Sequence, residues 1–329
     1  MPTIRDVANA AGVSVGTASR VLAGHAATSE ESRASVTAAA AALGYRMNAR
    51  ARSLRGSRTQ TLGLLVSDVR NPFFSELAHA AEHAAGEHGY LCLLANANED
   101  ADQEQRYLDA FASQQVDGVL MTPQSENNPE LGRILDDGTP VVFVDRTLRS
   151  HTVPSVTVDN AGGIRSALEH LRRRGHTRVG YIAGPTSVST GAARLAAIDE
   201  LRAEFGLDND PLLVIEGDFR AESGTDAALR MLELADRPTA ILAADGLMAL
   251  GAYAALGPRA DPADIELVSF DDLEIFGQLH LPISSVSNDP GTMAGEAVRM
   301  LLAAIDGEQV ESVVLPTRFI DRSAPRGER

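Results

Sequence analysis

Two kinds of chemistry are suggested by residue types and spacing in this 329-residue chain. The first is recognition of phosphate and base edges. A short helix beginning after Ser14 turns Ala18, Val21 and Leu22 to one side and Val15, Gly16, Thr17 and Arg20 to the other. An arginine on such a face can fork onto guanine O6 and N7 or bind a phosphate; Val15 offers only a methyl contact and Gly16 no side chain. The second is binding of a small polar molecule. Carboxyls follow apolar runs at Asp68, Asp145, Asp245 and Asp271, with Gln124 after Asp-Gly-Val-Leu-Met and Arg146 beside Asp145. Phe73 and Phe74 follow Asn71-Pro72, and Thr190 and Arg194 lie beyond the Gly184-Pro185 turn. Catalytic patterns are missing: there is no Ser-His-Asp order, nucleophile elbow or paired-carboxylate motif. His79 and His83 have the spacing of a zinc pair, but no motif supplies a third ligand, so a surface or dimer-contact helix and no metal are expected. Neither Gly162-Gly163 nor Gly184-Pro185 makes a nucleotide fingerprint, and no cofactor is expected.

The elements that must position these residues fall into two regions of opposite charge. Residues 1–58 carry a formal +5 and the remainder −21, so the overall −16 is not evidence against a nucleic-acid partner. A hydrophobic fraction of 44% with 22% charged residues excludes a disordered chain. A single cysteine, Cys92, excludes an internal disulfide. Met1 is followed directly by Pro2, Thr3 and an amphipathic segment, and no run of about 18 uncharged apolar residues occurs; a cytoplasmic protein with no membrane partner is expected.

In the basic region, Thr3 and Asp6 resemble a capping box for a helix that Gly12 ends, and Ser14 can cap a second helix, Val15 to Ala23. Thr28 with Glu31 predicts a third, Ser32 to Leu43, closed by Gly44. The first two make a helix-turn-helix pattern. Asn48 can cap a seven-residue segment, Ala49 to Arg55, carrying Arg50, Arg52 and Arg55 around Leu54; alone it is too short for a stable helix in water. From Thr61 onward apolar runs alternate with helical stretches, the rhythm of parallel sheets with crossover helices. The series repeats after about Ser155, which predicts two doubly wound subdomains with a ligand cleft at their strand ends.

The wording IRDVANAAGVSVGTASRVLAG and LGYRMNARARSLRGSRT closely resembles the start of the lactose-repressor (LacI/GalR) family of bacterial transcription regulators. The resemblance continues through VSDVRNPFF, VDGV, VDN, GHTRVGYIAGP, GDFRAESG, RPTAI, LMALGA and VSFDD. It implies a three-helix DNA-binding head (1–46), a hinge helix and linker (47–59) and a periplasmic-binding-protein-like ligand and dimerisation domain of two subdomains (60–329). It implies a homodimer on a near-palindromic operator, most simply a repressor, with an allosteric effector such as a sugar, polyol or nucleobase. Val15, Gly16 and Arg20 then occupy the base-reading places, with Ser14, Thr17 and Ser19 on phosphates or caps. The hinge, from Asn48 through the three arginines, would order in the minor groove, with Leu54 wedging a base step.

By the same similarity Phe73 or Phe74 stacks on the ligand, one of the two remaining in the core, while Asp145 and Asp271 accept its hydrogen bonds. Asp271 could equally cap a following helix. Where sugar-responsive relatives carry an arginine and an Asn-Asp pair, this chain reads Ala192 and Asp245-Gly246. The cleft is therefore expected to lose a cation and an amide, to gather Asp68, Asp145, Asp245 and Asp271, and to suit a neutral or cationic ligand. The alternative is a cytosolic enzyme or binding protein for a nucleoside or glycoside.

Overall fold

The computed structural model describes residues 2–22, 28–45, 58–257 and 265–323. The chain divides into two compact units, Met1–Thr59 and Gln60–Arg329. The first holds α1 (Ile4–Ala10), α2 (Val15–Leu22) and α3 (Glu30–Leu43). Thr3 and Asp6 close a reciprocal capping box on α1. Gly12, at φ +67°, makes the turn, and the Thr17 amide donates to Ser14 Oγ at 3.1 Å to start α2. Helix α3 begins two residues earlier than Thr28 and Glu31 predict. Its cap is Ser29, whose Oγ accepts from the Ser32 amide at 3.3 Å, while the Thr28 carbonyl is taken by Arg33. Val7, Ala8, Ala18, Val21, Val36 and Ala40 form a small core. The hinge residues Asn48, Arg50, Arg52, Leu54 and Arg55 lie outside the described residues.

The second unit is built on two six-stranded sheets. The first contains β1 (Thr61–Val66), β2 (Leu91–Asn96), β3 (Gly118–Met121), β4 (Val141–Val144), β5 (Ser155–Val158) and β11 (Val313–Leu315), in the spatial order β2, β1, β3, β4, β5, β11. The second contains β6 (Val179–Ala183), β7 (Val214–Glu216), β8 (Ala240–Ala243), β9 (Glu266–Phe270), β10 (Ser284–Ser287) and β12 (Arg318–Ile320), in the order β7, β6, β8, β9, β10, β12. Strand β12 is antiparallel to β10; the other pairs are parallel. Strands β3, β4, β6, β8 and β9 are buried along their whole length, because helices cover both faces; the first four read in sequence as apolar runs, whereas β9 also carries Glu266 and Ser269. Edge strand β2 leaves Leu91, Leu93 and Leu94 exposed.

The crossovers are α4 (Pro72–Glu87), α5 (Ala101–Gln114), α6 (Pro129–Asp136), α7 (Asn160–Arg173), α8 (Ser189–Glu204), α9 (Ala221–Leu232), α10 (Gly246–Leu256) and α11 (Pro290–Ile305). Asn71, Asp100, Asn128, Asp159, Asp245 and Asp289 cap six of them, each accepting a backbone amide from the first turn. The repeat lies later than Ser155: that residue opens β5, which still belongs to the first sheet, and the second series starts at β6. Helix α11 and strand β11 return to the first lobe, α11 packing on α4, β3 and β4. The chain therefore crosses between lobes three times, near 159, 288 and 316. Two of these crossings touch where the Asp159 amide donates to the Leu315 carbonyl at 2.9 Å. In each sheet the strand order reverses beside its first strand, β1 or β6, so the loops after the strands open toward a shared cleft. No helix among the described residues is long and apolar enough to cross a membrane.

Candidate functional site

On the first unit, α2 presents Val15, Gly16 and Arg20 outward, with Val15 37% exposed, while Ala18 and Val21 hold the helix to its core. The Ser14 and Thr17 hydroxyls lie 2.9 Å apart and serve the helix start. Ser19 is half-buried.

In the second unit, the loops after β1, β4, β6, β7, β8 and β9 line a cleft. Phe73 and Phe74 stand at the start of α4 with ring centres 5.0 Å apart; both are core residues and both line the cleft, so neither is confined to packing beneath the helix. Phe219 closes the opposite side. It rests against Gly184, where a Cβ would collide with its ring. Between these rings lie the carboxyls of Asp145, Asp245 and Asp271 and the guanidiniums of Arg146 and Arg194, with Asn71 and Thr190.

The two lobes meet across this space. Asn71 caps α4 through Oδ1 and donates from Nδ2 to Asp245 Oδ2 at 3.2 Å. The Thr147 amide donates to Ser189 Oγ at 2.9 Å, and Arg220 reaches the Asn98 carbonyl at 3.4 Å. Arg146 is 2% exposed; its Nη1 and Nη2 fork onto the Glu99 carboxylate at 2.7 and 2.8 Å, and Gln124 Oε1 accepts a further bond at 2.8 Å. Its guanidinium carbon lies 5.8 Å from the Phe74 ring centre and 5.3 Å from that of Phe219. Arg194 donates to Asn160 Oδ1 at 2.7 Å and to the Ala244 carbonyl at 2.6 Å, with its guanidinium carbon 3.7 Å above Phe270.

Burial dominates the carboxyls. It pushes Asp145 up to about 6 against the pull of Arg194 and Arg146. Burial and the neighbouring Asp271 carry Asp245 to about 7, against backbone amides at the start of α10 and Arg194. Asp271 is also raised by burial, opposed by Arg194 and the Asn288 amide, which donates to its Oδ1 at 2.9 Å. Behind the cleft, burial lifts Glu104 to about 7, although Asn128 and the Gln124 amide hydrogen-bond to it. Such groups hold protons more tightly folded than unfolded. Their stabilisation is complete below the ordinary carboxyl range near 4 and is lost as pH rises through 6 to 7. Asp245→Asn is accordingly expected to flatten the fall in melting temperature between pH 4 and 7. A melting series that keeps the parent slope would contradict this.

Four expectations change at this site. Asp68 does not join the acidic group: burial raises its carboxyl, but hydrogen bonds from Arg70, the shortest 2.6 Å, overcome this and hold it below the usual range. Gln124 supports Arg146 from behind rather than lining the cleft. The cleft is not stripped of cation and amide, since Arg146, Arg194 and Asn71 supply both; Arg194 reaches in from α8 two residues beyond Ala192. Asp271 does not cap the following 3-10 turn, whose N-terminal residue is Leu273; its carboxyl bonds Asn288 instead. Asn71, Glu99 and Phe219 were not anticipated. Asn71 had a signal in its Asn-Pro start, whereas Phe219, at φ +62°, had none.

Two family models match the chain. Residues 3–48 match bacterial regulatory proteins of the lacI family, and residues 59–323 match the periplasmic binding proteins and sugar binding domain of the LacI family. The ribose operon repressor of Halalkalibacterium halodurans is 31% identical over 332 residues, 99% of this chain and 98% of that protein. The structure of the transcriptional regulator CelR–cellobiose complex is similar with a TM-score of 0.73 and 33% identity, covering 98% of this chain and 99% of that one. The lac repressor dimer bound to operator and the anti-inducer ONPF gives a TM-score of 0.86 at 27% identity, over 98% of each chain. With an outward-facing helix of a helix-turn-helix unit, a cleft between two doubly wound lobes and family models matching nearly its full length, the chain belongs to the LacI family of bacterial regulatory proteins and is a ligand-responsive, DNA-binding regulator of transcription.

Proposed function

We propose that this regulator is a repressor that binds a near-palindromic operator as a homodimer and takes a neutral monosaccharide, first of all a pentose such as ribose, as effector. The cleft carries the ligand class. Phe73, Phe74 and Phe219 offer ring faces to sugar C–H groups, and three carboxyls with two guanidiniums offer acceptors and donors to hydroxyls. The excess of carboxyls disfavours phosphorylated or acidic sugars. Ribose is suggested by the similar ribose operon repressor.

On the DNA side, residues 1–46 form the reading head and 47–59 the hinge, with Asn48, Arg50, Arg52, Leu54 and Arg55 assigned to the minor groove by family similarity. Arg20 is the main base-reading side chain because it is the exposed cation on α2. Arg20→Ala is expected to cost about 1 to 3 kcal/mol of operator binding and to relax one base position per half-site, read by selection from a randomised site. The exposed Leu91, Leu93 and Leu94 edge supplies an apolar face for a second copy. The chain acts in the cytoplasm by binding, not catalysis, as its regulator relatives do.

Calorimetry with D-ribose, D-ribose 5-phosphate and cellobiose tests the ligand class, with hits retested for their effect on operator binding. Ribose is expected to bind and the other two not. Preferential binding of the phosphate or the disaccharide would overturn the reading.

A further inference from the structure

The two cleft aspartates that follow β4 and β9 share a device. Asp145 and Asp271 both have left-handed backbone, at φ +66° and +70°, a conformation uncommon outside glycine that aspartate tolerates better than most residues and that neighbouring contacts can fix. In each lobe the next residue is charged and locked in a two-pronged guanidinium–carboxylate fork, with the polarity reversed. After Asp145 it is Arg146 on Glu99, at 2.7 and 2.8 Å. After Asp271 it is Asp272, gripped by Arg322 Nη1 and Nη2 at 2.7 and 3.1 Å.

Arg322 belongs to the tail beyond β12, 50 residues from its partner. Its place is fixed from several sides. Its amide donates to Ser284 Oγ at 3.0 Å, and Nη1 donates to Ser285 Oγ at 2.8 Å while that hydroxyl donates to Asp272 Oδ1 at 2.6 Å. The fork is a rigid planar contact that one torsion of the loop cannot leave without breaking several bonds at once.

We propose that Arg322 is a positioning residue of the effector site: its fork on Asp272 holds Asp271 in the left-handed conformation that points its carboxyl into the cleft. The inference rests on the cleft being the effector site. It makes the C-terminal tail, which arrives directly from the third lobe crossing, part of the sensing machinery rather than a trailing end.

Hydrogen–deuterium exchange on the ligand-free full chain, paired with D-ribose titration, tests it. In Arg322→Ala the amides of residues 271–276 should exchange at least about tenfold faster while the other strands of the second lobe keep their protection. The dissociation constant for D-ribose should rise about tenfold, and Arg322→Lys, which keeps the charge but not the fork, should recover part of both. Unchanged exchange at 271–276, faster exchange spread evenly through the lobe, or faster exchange with unaltered ribose affinity each overturns the proposal. Should the alanine variant not fold, Ser285→Ala, which removes only one hydroxyl from the network, must show the same local signature more weakly. If D-ribose binds neither parent nor variant, the exchange data still decide the positioning role, and only the sugar assignment falls.

Discussion

Arg194→Ala is expected to abolish effector binding and to destabilise the second unit by about 3 to 5 kcal/mol, the cost of removing one partner from a buried charged group. The guanidinium is 3% exposed and lowers the pKa of all three cleft carboxyls. Without it Asp145, Asp245 and Asp271 keep one cleft cation, Arg146, which is already committed to Glu99. They answer by holding protons to still higher pH, because three carboxylates buried at 5% exposure or thereabouts cannot all stay ionised. The deficit against the parent is therefore larger at pH 8, where the acids must ionise, than at pH 5. The loss is also mechanical: the Asn160 side chain at the first lobe crossing and the Ala244 carbonyl at the end of β8 lose a common donor. Arg194→Lys keeps the charge without the planar fork and should fall between the two. Ribose affinity within a factor of two of the parent in the alanine variant would show that this cation does not face the ligand.

Glu266→Ala is expected to cost a similar 3 to 5 kcal/mol with no direct effect on the cleft. Glu266 opens β9, at the end of the sheet opposite the ligand loops. Its carboxylate accepts from Arg174 Nε at 2.6 Å and meets His170 Nε2 at 2.7 Å and His176 Nε2 at 3.0 Å, all but Arg174 being almost wholly buried. His170 also stacks on Phe319 of β12, and His176 Nδ1 lies 2.8 Å from Thr239 Oγ1. Burial alone would raise the Glu266 carboxyl, but the hydrogen bonds from His170, His176 and Arg174 hold it far below the usual range. A carboxyl lowered in the folded state stabilises above its ordinary value near 4 and loses that contribution as pH falls. In urea titrations the gap between parent and variant should thus be full at pH 7 and shrink only under strong acid. An unchanged urea midpoint at pH 7 would mean that the cluster is not a structural tie.

Local features of this protein are legible in its amino-acid order. The Thr3–Asp6 box, the Gly12 turn, the Ser14 cap and the alternation of apolar runs with capped helices depend on residues within about one helical turn of each other. Parallel topology then carries that information further. Strand ends converge on one edge, so Asp145, Asp245 and Asp271 could be placed near a cleft from their position after an apolar run alone. The same rule misplaced Asp68, because following a strand says nothing about the arginine two residues on that captures it. It set the lobe boundary too early, because a periodic pattern cannot register that α11 and β11 return to the first lobe.

What the amino-acid order determined on its own was the set of elements, the basic head against the acidic body, the family, and which side chains sit at strand ends. What only the tertiary structure decided was which charges meet. Glu99 reaches Arg146 across 47 residues, Arg322 reaches Asp272 across 50 and Asn71 reaches Asp245 across 174. The physical reason is range. Caps and periodicity act over a few residues along the chain, whereas burial and Coulomb attraction act through space and depend on every lobe crossing being in place.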